Sequence, residues 1–404
     1  MPIGKVVFDN VQRGHFWEQK PTRDFVFFYA MGRMLNEYPA SDLYNFDLQK
    51  KVLHEVAPLH GEEYTPNPYP PFVGIAFRPF TLLSYFQAYV LWLVLTLCFY
   101  VTGVVVLARQ FFPEEPLRRS LILCLALSYF PFLWVMNGGQ IPVWGFLSLA
   151  FAFREEDRDQ FFRSGLALGF CAYKPTLLVL ILPMLLITKR YRTLGGFAAT
   201  CLGLGVVSTA MQGIGIWSGY LQILLNFGAA ATKTHAYRQV KWYMDIFSFS
   251  ALLPGGRSAI GATILILLAG AALIALFLAW RKAAGAGKQV RMLIWATTLT
   301  WTFVLNLYVP IYDSMMAVVA AIVTASVLRK LNVPSLWRRF NVLWIAIFVF
   351  VWAAVRSAEN FGFEGLTVLF ALAGMLQLSI LRQPGLATDS NYQQIPGEYP
   401  AGDQ

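Results

Sequence analysis

Residues 84–107, SYFQAYVLWLVLTLCFYVTGVVVL, decide the fold of this chain, because they contain no charged side chain. A helix that crosses a bilayer needs about 20 consecutive apolar residues, and this run is long enough. The whole chain is 57% hydrophobic and only 13% charged, whereas a soluble domain carries about 25% charged residues. We therefore predict an all-α polytopic membrane protein. An outer-membrane barrel would show alternating strands of about 10 residues instead.

Further apolar runs follow the first one and predict about ten membrane helices, some of them the short arms of hairpins. These runs cover residues 121–136, 143–153, 165–173, 176–188, 194–211, 259–280, 292–307, 311–328, 341–355 and 366–381. The chain is thus divided into an outer-face segment (1–81), a multi-helix transmembrane domain (82–382, with an outer loop at 212–257) and a disordered cytoplasmic tail (383–404).

The net charge of +10 follows from basic loops between apolar runs, not from a nucleic-acid surface. Alternation places the loops at 118–119, 154–163, 189–192, 281–291 and 329–339 on one side, and each carries several Lys or Arg residues. The positive-inside rule makes that side cytoplasmic, in the inner (plasma) membrane. Residues 1–81 then lie outside, although no span precedes them. Either the first span translocates them, or, as we favour, an upstream helix is missing from this sequence.

Cysteine and histidine give no sign of a disulfide framework or a metal site. All four cysteines lie within apolar runs and are interpreted as small buried hydrophobes. The four histidines are scattered without metal-ligand spacing. These residues are Cys98, Cys124, Cys171, Cys201, His15, His54, His60 and His235. We expect neither a metal nor a cofactor.

Four polar residues in or beside the apolar zone are candidates for function, since such residues are costly there. Asp24 precedes Phe25, Gln140 sits in a Gly-Gly-Gln tip, Lys174 precedes Pro175, and Asp313 follows Tyr312. Each has a structural alternative. Asp24 and Asp313 would cap helices, Gln140 would satisfy backbone groups at its tip, and Lys174 would extend to the lipid headgroups.

Considered together, the polar residues of the outer face suit a lipid-linked phosphosugar donor. A carboxylate, Asp24, would deprotonate the acceptor hydroxyl as general base. Lys174, with Arg238 and Lys241, would stabilise the departing phosphate, so that no metal is required; alternatively, Arg238 and Lys241 only touch lipid phosphates. Apolar grooves would hold the polyprenyl chain. The residues expected to bind sugar or acceptor are Tyr29, Tyr69, Gln140, Trp242 and Asp313.

Several short motifs, in this order, resemble glycosyltransferase family 87, which includes polyprenol-phosphate-mannose-dependent α-mannosyltransferases. The likeness extends over roughly residues 22–330, and its strength lies in order and spacing, since no single motif is specific. The motifs are Asp24-Phe25-x-x-Phe28-Tyr29-Ala30, Leu43-Tyr44, Tyr69-Pro70-Pro71-Phe72, Pro79-Phe80, Gly139-Gln140, Tyr173-Lys174-Pro175 and Tyr312-Asp313.

The resemblance implies a GT-C-type fold and an inverting transfer of a hexose, mannose first, from a polyprenyl-phosphate donor to a lipid or glycan acceptor. It implies an active site at the outer face and matches the family's catalytic aspartate to Asp24. Ile311 stands where the family often has His, which puts strict mannose specificity in doubt. Alternatives are a GT-C enzyme that uses arabinose or glucose, and a lipid or solute transporter. Transporters often show inverted repeats, and none is evident here.

Overall fold

A computed structural model describes residues 24–56, 67–233, 240–254, 258–306, 308–383 and 386. Helices account for most of these residues. Among them, β structure is limited to an isolated antiparallel bridge between Tyr243 and Pro310. The predicted tail falls outside this description, apart from Gln383 and Leu386.

Three short helices precede the first span, together with the 3₁₀ turns Ala40–Tyr44 and Arg78–Leu82. The helix α1 packs against both α2 and α3. These three helices are α1 (Phe25–Glu37), α2 (Phe46–Val56) and α3 (Pro71–Phe77).

The first half of the membrane body contains helices of very different lengths. Two 3₁₀ turns, Phe170–Tyr173 and Pro175–Leu178, interrupt it. The helices are α4 (Tyr85–Phe111), α5 (Pro116–Leu127), α6 (Phe130–Gly138), α7 (Pro142–Asp157), α8 (Phe161–Gly169), α9 (Ile181–Ile187), α10 (Tyr191–Gln212) and α11 (Ile216–Lys233).

In the second half, residues 240–245 form an irregular segment that includes the 3₁₀ turn Val240–Trp242. Helices follow this segment to the end of the described chain. A further 3₁₀ turn, Ile311–Met316, leads directly into α15. The helices are α12 (Ile246–Leu252), α13 (Ala259–Ala283), α14 (Lys288–Leu305), α15 (Ala317–Leu331), α16 (Pro334–Phe350), α17 (Ala354–Phe361) and α18 (Gly365–Ile380).

Four helices of the described chain are long and apolar enough to cross a bilayer: Tyr85–Phe111, Tyr191–Gln212, Ala259–Ala283 and Ile311–Leu331. The number rises to six if two bent pairs each form one span. The first pair, α5 and α6, bends by 51°, and the second, α16 and α17, by 71°. Pro131 in the first turn of α6 gives a reason for the first bend, because its ring cannot continue a helix from the preceding turn.

Close backbone contact joins α8 to α10 through two glycines. A Cβ at Gly165 would lie 1.9 Å from the carbonyl oxygen of Thr193, and one at Gly196 would lie 2.0 Å from that of Phe162. Membrane helices often associate through such small residues, which let backbones approach. The short arm α8 is therefore fixed on a full-length span.

The basic loops come together at one end of the bundle. Lys288 at the start of α14 lies 3.2 Å from Asp157 at the end of α7, and Arg329 near the end of α15 forms an ion pair with Glu115 before α5. We call this the inner end. The sequence prediction of an all-α polytopic membrane protein is confirmed. The predicted count of about ten membrane helices included short arms, whereas four to six helices have the length of a span.

Candidate active site

Asp24 lies immediately before α1, at the end of the bundle opposite the basic loops. Its backbone has helical dihedral angles (φ −54°, ψ −22°), and its side chain makes no capping hydrogen bond to α1. Instead, the side-chain amide of Gln140 donates a hydrogen bond to the Asp24 carboxylate. This contact with a residue 116 positions away is not what the capping alternative predicts.

The tip between α6 and α7 is held in place by two aromatic side chains of α4. The hydroxyl of Tyr89 donates to the carbonyl oxygen of Asn137 over 3.1 Å, and the indole N–H of Trp92 donates to that of Gly139 over 2.9 Å. Buried carbonyl groups at a helix end need such donors. The first membrane span therefore positions the tip.

Gly139 brings the same tip against the start of α1. Its φ of 63° is in the left-handed region, and a Cβ at this position would lie only 2.7 Å from Cβ of Phe25. Glycine alone tolerates both this conformation and this approach. As a result, the next residue, Gln140, is buried and directs its amide at Asp24.

Lys174 occupies the junction between two 3₁₀ turns, where Pro175 favours an extended backbone in the residue before it. Its dihedral angles (φ −135°, ψ 83°) agree with that effect. The side chain is buried and its ammonium forms an ion pair with Asp313. The ammonium also lies 5.3 Å from the ring centroid of Tyr308 and 5.8 Å from that of Tyr312, within cation–π range. Lys174 thus does not extend to lipid headgroups.

Asp313 is fully buried in the 3₁₀ turn that precedes α15. The oxygen Oδ2 faces the ammonium of Lys174, whereas Oδ1 has no hydrogen-bond partner among the described residues. A carboxylate oxygen that is removed from water without a donor is costly. Oδ1 is therefore an acceptor suited to a ligand hydroxyl.

Tyr69 connects the two halves of this constellation. Burial raises the pKa of its hydroxyl well above the usual range, and Tyr308, Asp313 and Asp24 raise it further. The ring of Tyr69 contacts Phe28 of α1, with centroids 5.1 Å apart, and α6, which leads to the Gln140 tip, packs against the 3₁₀ turn that contains Asp313. Asp24 with Gln140 and Lys174 with Asp313 accordingly meet at one site, which we call the outer site.

The irregular segment before α12 is attached beside the outer site by main-chain and side-chain contacts. The amide of Met244 donates to the carbonyl oxygen of Val309 over 3.0 Å, and the amide of Val309 donates to the Asp245 carboxylate over 3.3 Å. The hydroxyls of Tyr243 and Tyr308 are 3.2 Å apart. This segment therefore packs beside Tyr308, the tyrosine that lies against Lys174.

Two predicted ligands on this segment lie at different distances from the outer site. The ammonium of Lys241 lies 2.7 Å from a carboxylate oxygen of Glu359 in α17, and both side chains are substantially exposed. Trp242 contacts Trp134 with ring centroids 6.3 Å apart, and Trp134 lies 6.4 Å from Tyr312. Trp242 is thus connected to the outer site through one aromatic ring, while Lys241 is engaged with an acid.

Tyr29 does not join the outer site through its hydroxyl, which donates to the carbonyl oxygen of Leu83 over 2.9 Å. It lines a separate polar cavity of about 550 Å³ that also contains Arg33 and Asn36. Arg238 lies outside the described residues. The sugar-binding role of Tyr29 and the phosphate-binding role of Arg238 remain predictions.

Sequence reasoning did not single out Tyr308 or Trp134, although both line the site. Tyr308 stands in the short connection before Pro310, between two apolar runs, and Trp134 lies within an apolar run of α6. Neither position has a charge or a motif that separates it from the many other aromatic residues. They are identified only by their contacts in the folded protein, where Tyr308 lies against Lys174 and Trp134 lies near Tyr312.

Within the part of the chain that the structure describes, no group of three His, Cys, Asp or Glu side chains is arranged to hold a metal ion.

Comparison with known protein families shows which family includes this chain. Residues 67–306, more than half of the chain, match the profile of glycosyltransferase family 87. The chain belongs to glycosyltransferase family 87. Searches of the curated proteins and of the solved structures returned no match. The matched region contains Tyr69, Gln140 and Lys174, whereas Asp24 and Asp313 lie on either side of it.

Membership of glycosyltransferase family 87 decides between the two classes of function that the sequence left open. The protein is a multi-pass membrane glycosyltransferase, with a sugar donor, an acceptor and membrane lipids as partners. The transporter alternative is not supported. The resemblance to this family that the sequence motifs indicated is confirmed.

Proposed function

We propose that the protein transfers a hexose, mannose first, from a polyprenyl-phosphate donor to a lipid or glycan acceptor at the outer face of the inner membrane. The main support is the meeting of Asp24 and Gln140 with Lys174 and Asp313 at one end of the bundle. Residues from four separate stretches of sequence supply a base, a cation and hydrogen-bonding groups there. Family membership supports glycosyl transfer in general, and the GT-C-type fold is part of this proposal.

In the proposed inverting transfer, each charged group of the outer site has its own role. Asp24 takes the proton of the acceptor hydroxyl while the acceptor oxygen bonds to the anomeric carbon from the face opposite the leaving group. The bond from that carbon to the phosphate oxygen breaks, and its electron pair leaves with the phosphate. Polyprenyl phosphate thereby gains a second negative charge, which the ammonium of Lys174 stabilises. Gln140 orients Asp24, and Oδ1 of Asp313 accepts a sugar hydroxyl.

An apolar groove that runs from the inner end towards the outer site supports a polyprenyl donor. It has a volume of about 410 Å³, lies between α5, α15 and α16, and is lined by Trp337, Trp344 and other apolar side chains. Its outer part includes Tyr129, whose hydroxyl lies 3.5 Å from that of Ser314. Ser314 is the neighbour of Asp313. A chain in this groove would bring its phosphate to the outer site.

Transfer from defined donors to a total lipid extract tests the proposal. Polyprenyl-phosphate mannose should be the preferred donor over polyprenyl-phosphate glucose or arabinose, and preference for either of the others would replace mannose without changing the class. Asp24→Asn should reduce the rate about 10²–10⁴-fold, the usual contribution of a general base. Asp47→Asn, an exposed acid in the first turn of α2, is the matched control. Near-full activity in a folded Asp24→Asn variant would refute the base assignment.

A further inference from the structure

A second groove lies at the inner end of the bundle and takes no part in the proposed transfer. Its volume is about 1180 Å³. The helix α14 packs against both α13 and α18, and these two form the walls of the groove. The α13 wall presents Ala271, Ala275 and Ala279 at every fourth position, beside Ile274 and Leu278. Residues four apart share one face of a helix, so the wall is a continuous apolar strip.

Three cations surround the inner mouth of this groove. Arg281 and Lys282 are in the last turn of α13, and Arg382 follows α18. All three are exposed, and none forms an ion pair with a residue that the structure describes. The groove thus combines an apolar wall with a positively charged rim.

Two basic residues of α14, close to the groove, are already paired with acids. Lys288 lies 3.2 Å from Asp157, and the Nε of Arg291 lies 3.4 Å from Glu156. The three rim cations differ from these two residues, because the described protein does not balance the charge of the rim. Charge complementarity points to an anionic occupant.

The length of the groove matches one leaflet of a bilayer. Ten residues separate Ala271 from Arg281, which at about 1.5 Å per residue corresponds to roughly 15 Å. The hydrocarbon core is about 30 Å thick, so the apolar wall extends from one headgroup layer to about the middle. In addition, α13 is a membrane-span candidate with only 6% of its apolar window buried inside the protein. A lipid chain fits this depth better than a polar peptide.

We propose that the inner groove binds one anionic, two-chain phospholipid. Its phosphate lies among Arg281, Lys282 and Arg382, and its acyl chains lie along the alanine strip of α13. Basic pockets between membrane helices at the cytoplasmic surface bind anionic headgroups in this way. The site is at the opposite end of the bundle from Asp24, so the inference does not rest on the proposed function.

Native mass spectrometry of the full-length protein with added phosphatidylglycerol or phosphatidylcholine tests the site. We expect one phosphatidylglycerol to remain bound at activation energies that remove phosphatidylcholine. Arg281→Gln/Lys282→Gln/Arg382→Gln should weaken its binding at least ten-fold. The control Arg192→Gln/Arg338→Gln/Arg339→Gln removes the same charge from exposed residues outside the groove. Equal weakening in both variants, or equal retention of the two lipids, would overturn the proposal.

A second pair of variants tests the apolar wall without any change of charge. Ala275→Trp would fill the groove, whereas Ala262→Trp adds the same ring to an exposed position of α13 outside it. Only Ala275→Trp should lose the bound phosphatidylglycerol. Glycerol 3-phosphate, which has the phosphate but no acyl chains, should not displace the lipid at equal concentration. Displacement, or full lipid binding by Ala275→Trp, would indicate simple phosphate binding and contradict a lipid site.

Discussion

The two ends of the bundle both bury a carboxylate beside a cation, but they surround it differently. At the inner end, Oε1 of Glu156 lies 3.4 Å from Arg291 and 4.0 Å from Arg190, and Oε2 accepts from Thr193 over 3.3 Å. At the outer site, Asp313 has one cation, and its second oxygen has no partner in the described chain. Oε1 of Glu156, like Oδ1 of Asp313, has no hydrogen-bond partner in the described chain, so the two acids differ in their cations: two guanidinium groups lie beside the inner acid and one ammonium lies beside the outer acid.

This difference separates a structural role from a functional one. The inner network joins α7, α10 and α14, so its charges hold helices together. The outer site has a single cation beside its buried acid and surrounds that ammonium with aromatic rings. Buried charged groups occur in functional sites as well as in structural networks, and the single cation of the outer site makes it the candidate for binding a charged ligand.

Loss of the outer cation should have the largest effect on activity. Lys174→Met removes the charge that stabilises the leaving phosphate, and we expect transfer to fall at least about 100-fold. The substitution also leaves Asp313 buried without a cation, which costs about 3–5 kcal/mol of stability. Transfer rates and thermal unfolding in detergent measure the two effects.

The double variant Lys174→Met/Asp313→Asn separates these effects. It removes both charges, so its thermal unfolding should return towards that of the unmodified protein while its transfer rate stays low. Recovery of activity together with stability would show that Lys174 only neutralises Asp313.

Substitution at the inner end should have the opposite outcome. Glu156→Gln leaves Arg190 without a carboxylate partner and Arg291 with Asp159 alone, and it should lower the free energy of unfolding by up to about 3–5 kcal/mol. The transfer rate per folded molecule should remain unchanged, because the inner network is at the other end of the bundle. A fall in that rate without a loss of stability would break the distinction between the two ends.

A third buried acid, Glu364, should make stability depend on pH. It accepts a hydrogen bond from the amide of Thr367 over 3.1 Å and caps α18. Burial raises the pKa of its carboxyl to about 7, and Asp245 contributes in the same direction against the lowering effect of hydrogen bonds from Thr367 and Leu366. The folded protein therefore binds this proton more tightly than the unfolded chain, whose Glu pKa is about 4.3.

Linkage between protonation and folding determines the direction in which stability changes with pH. The stabilising contribution is complete below the unfolded pKa and is lost as pH rises through about 7, up to about 4 kcal/mol. Glu364→Gln should remove this decline. Thermal unfolding of both proteins between pH 5 and about 8 measures the difference, and parallel curves would contradict a titrating Glu364.

Much of the fold could be predicted from sequence, because hydropathy reports directly on lipid exposure. The predicted run at 84–107 became α4, and the run at 194–211 became α10. The connection at 212–257 was less readable, since it contains α11 and α12 within an aromatic, amphipathic stretch. A helix with that composition has no continuous apolar run to mark it.

The candidate site was predictable as a set of residues but not as a set of contacts. Asp24, Gln140, Lys174 and Asp313 were conspicuous because each is a polar residue beside apolar sequence. Their pairing depends on the close approach of Gly139 to α1 and on the return of the chain at Tyr308. Such long-range packing has no local signature in a single sequence.

Gln140 allows a finer test of the outer site, with a smaller effect. Gln140→Ala removes the amide that donates to Asp24, and we expect transfer to fall about ten-fold, which corresponds to roughly 1.4 kcal/mol for a hydrogen bond to a charged group. Gln160→Ala, at an exposed inner position, is the matched control. An effect as large as that of Asp24→Asn would mean that Gln140 does more than orient the base.

Substitution of Lys241 should have the smallest effect on stability. It also tests whether the outer site extends along the irregular segment. Its ion pair with Glu359 is exposed, so breaking the pair from either side should leave the midpoint of thermal unfolding nearly unchanged. Lys241→Gln and Glu359→Gln then differ only in their kinetics. If Lys241 exchanges Glu359 for the donor phosphate, Lys241→Gln raises KM for the donor several-fold with little change in kcat. In that case Glu359→Gln lowers KM, because it frees the ammonium. Unchanged KM in both variants would confine the phosphate site to Lys174 among the lysines tested.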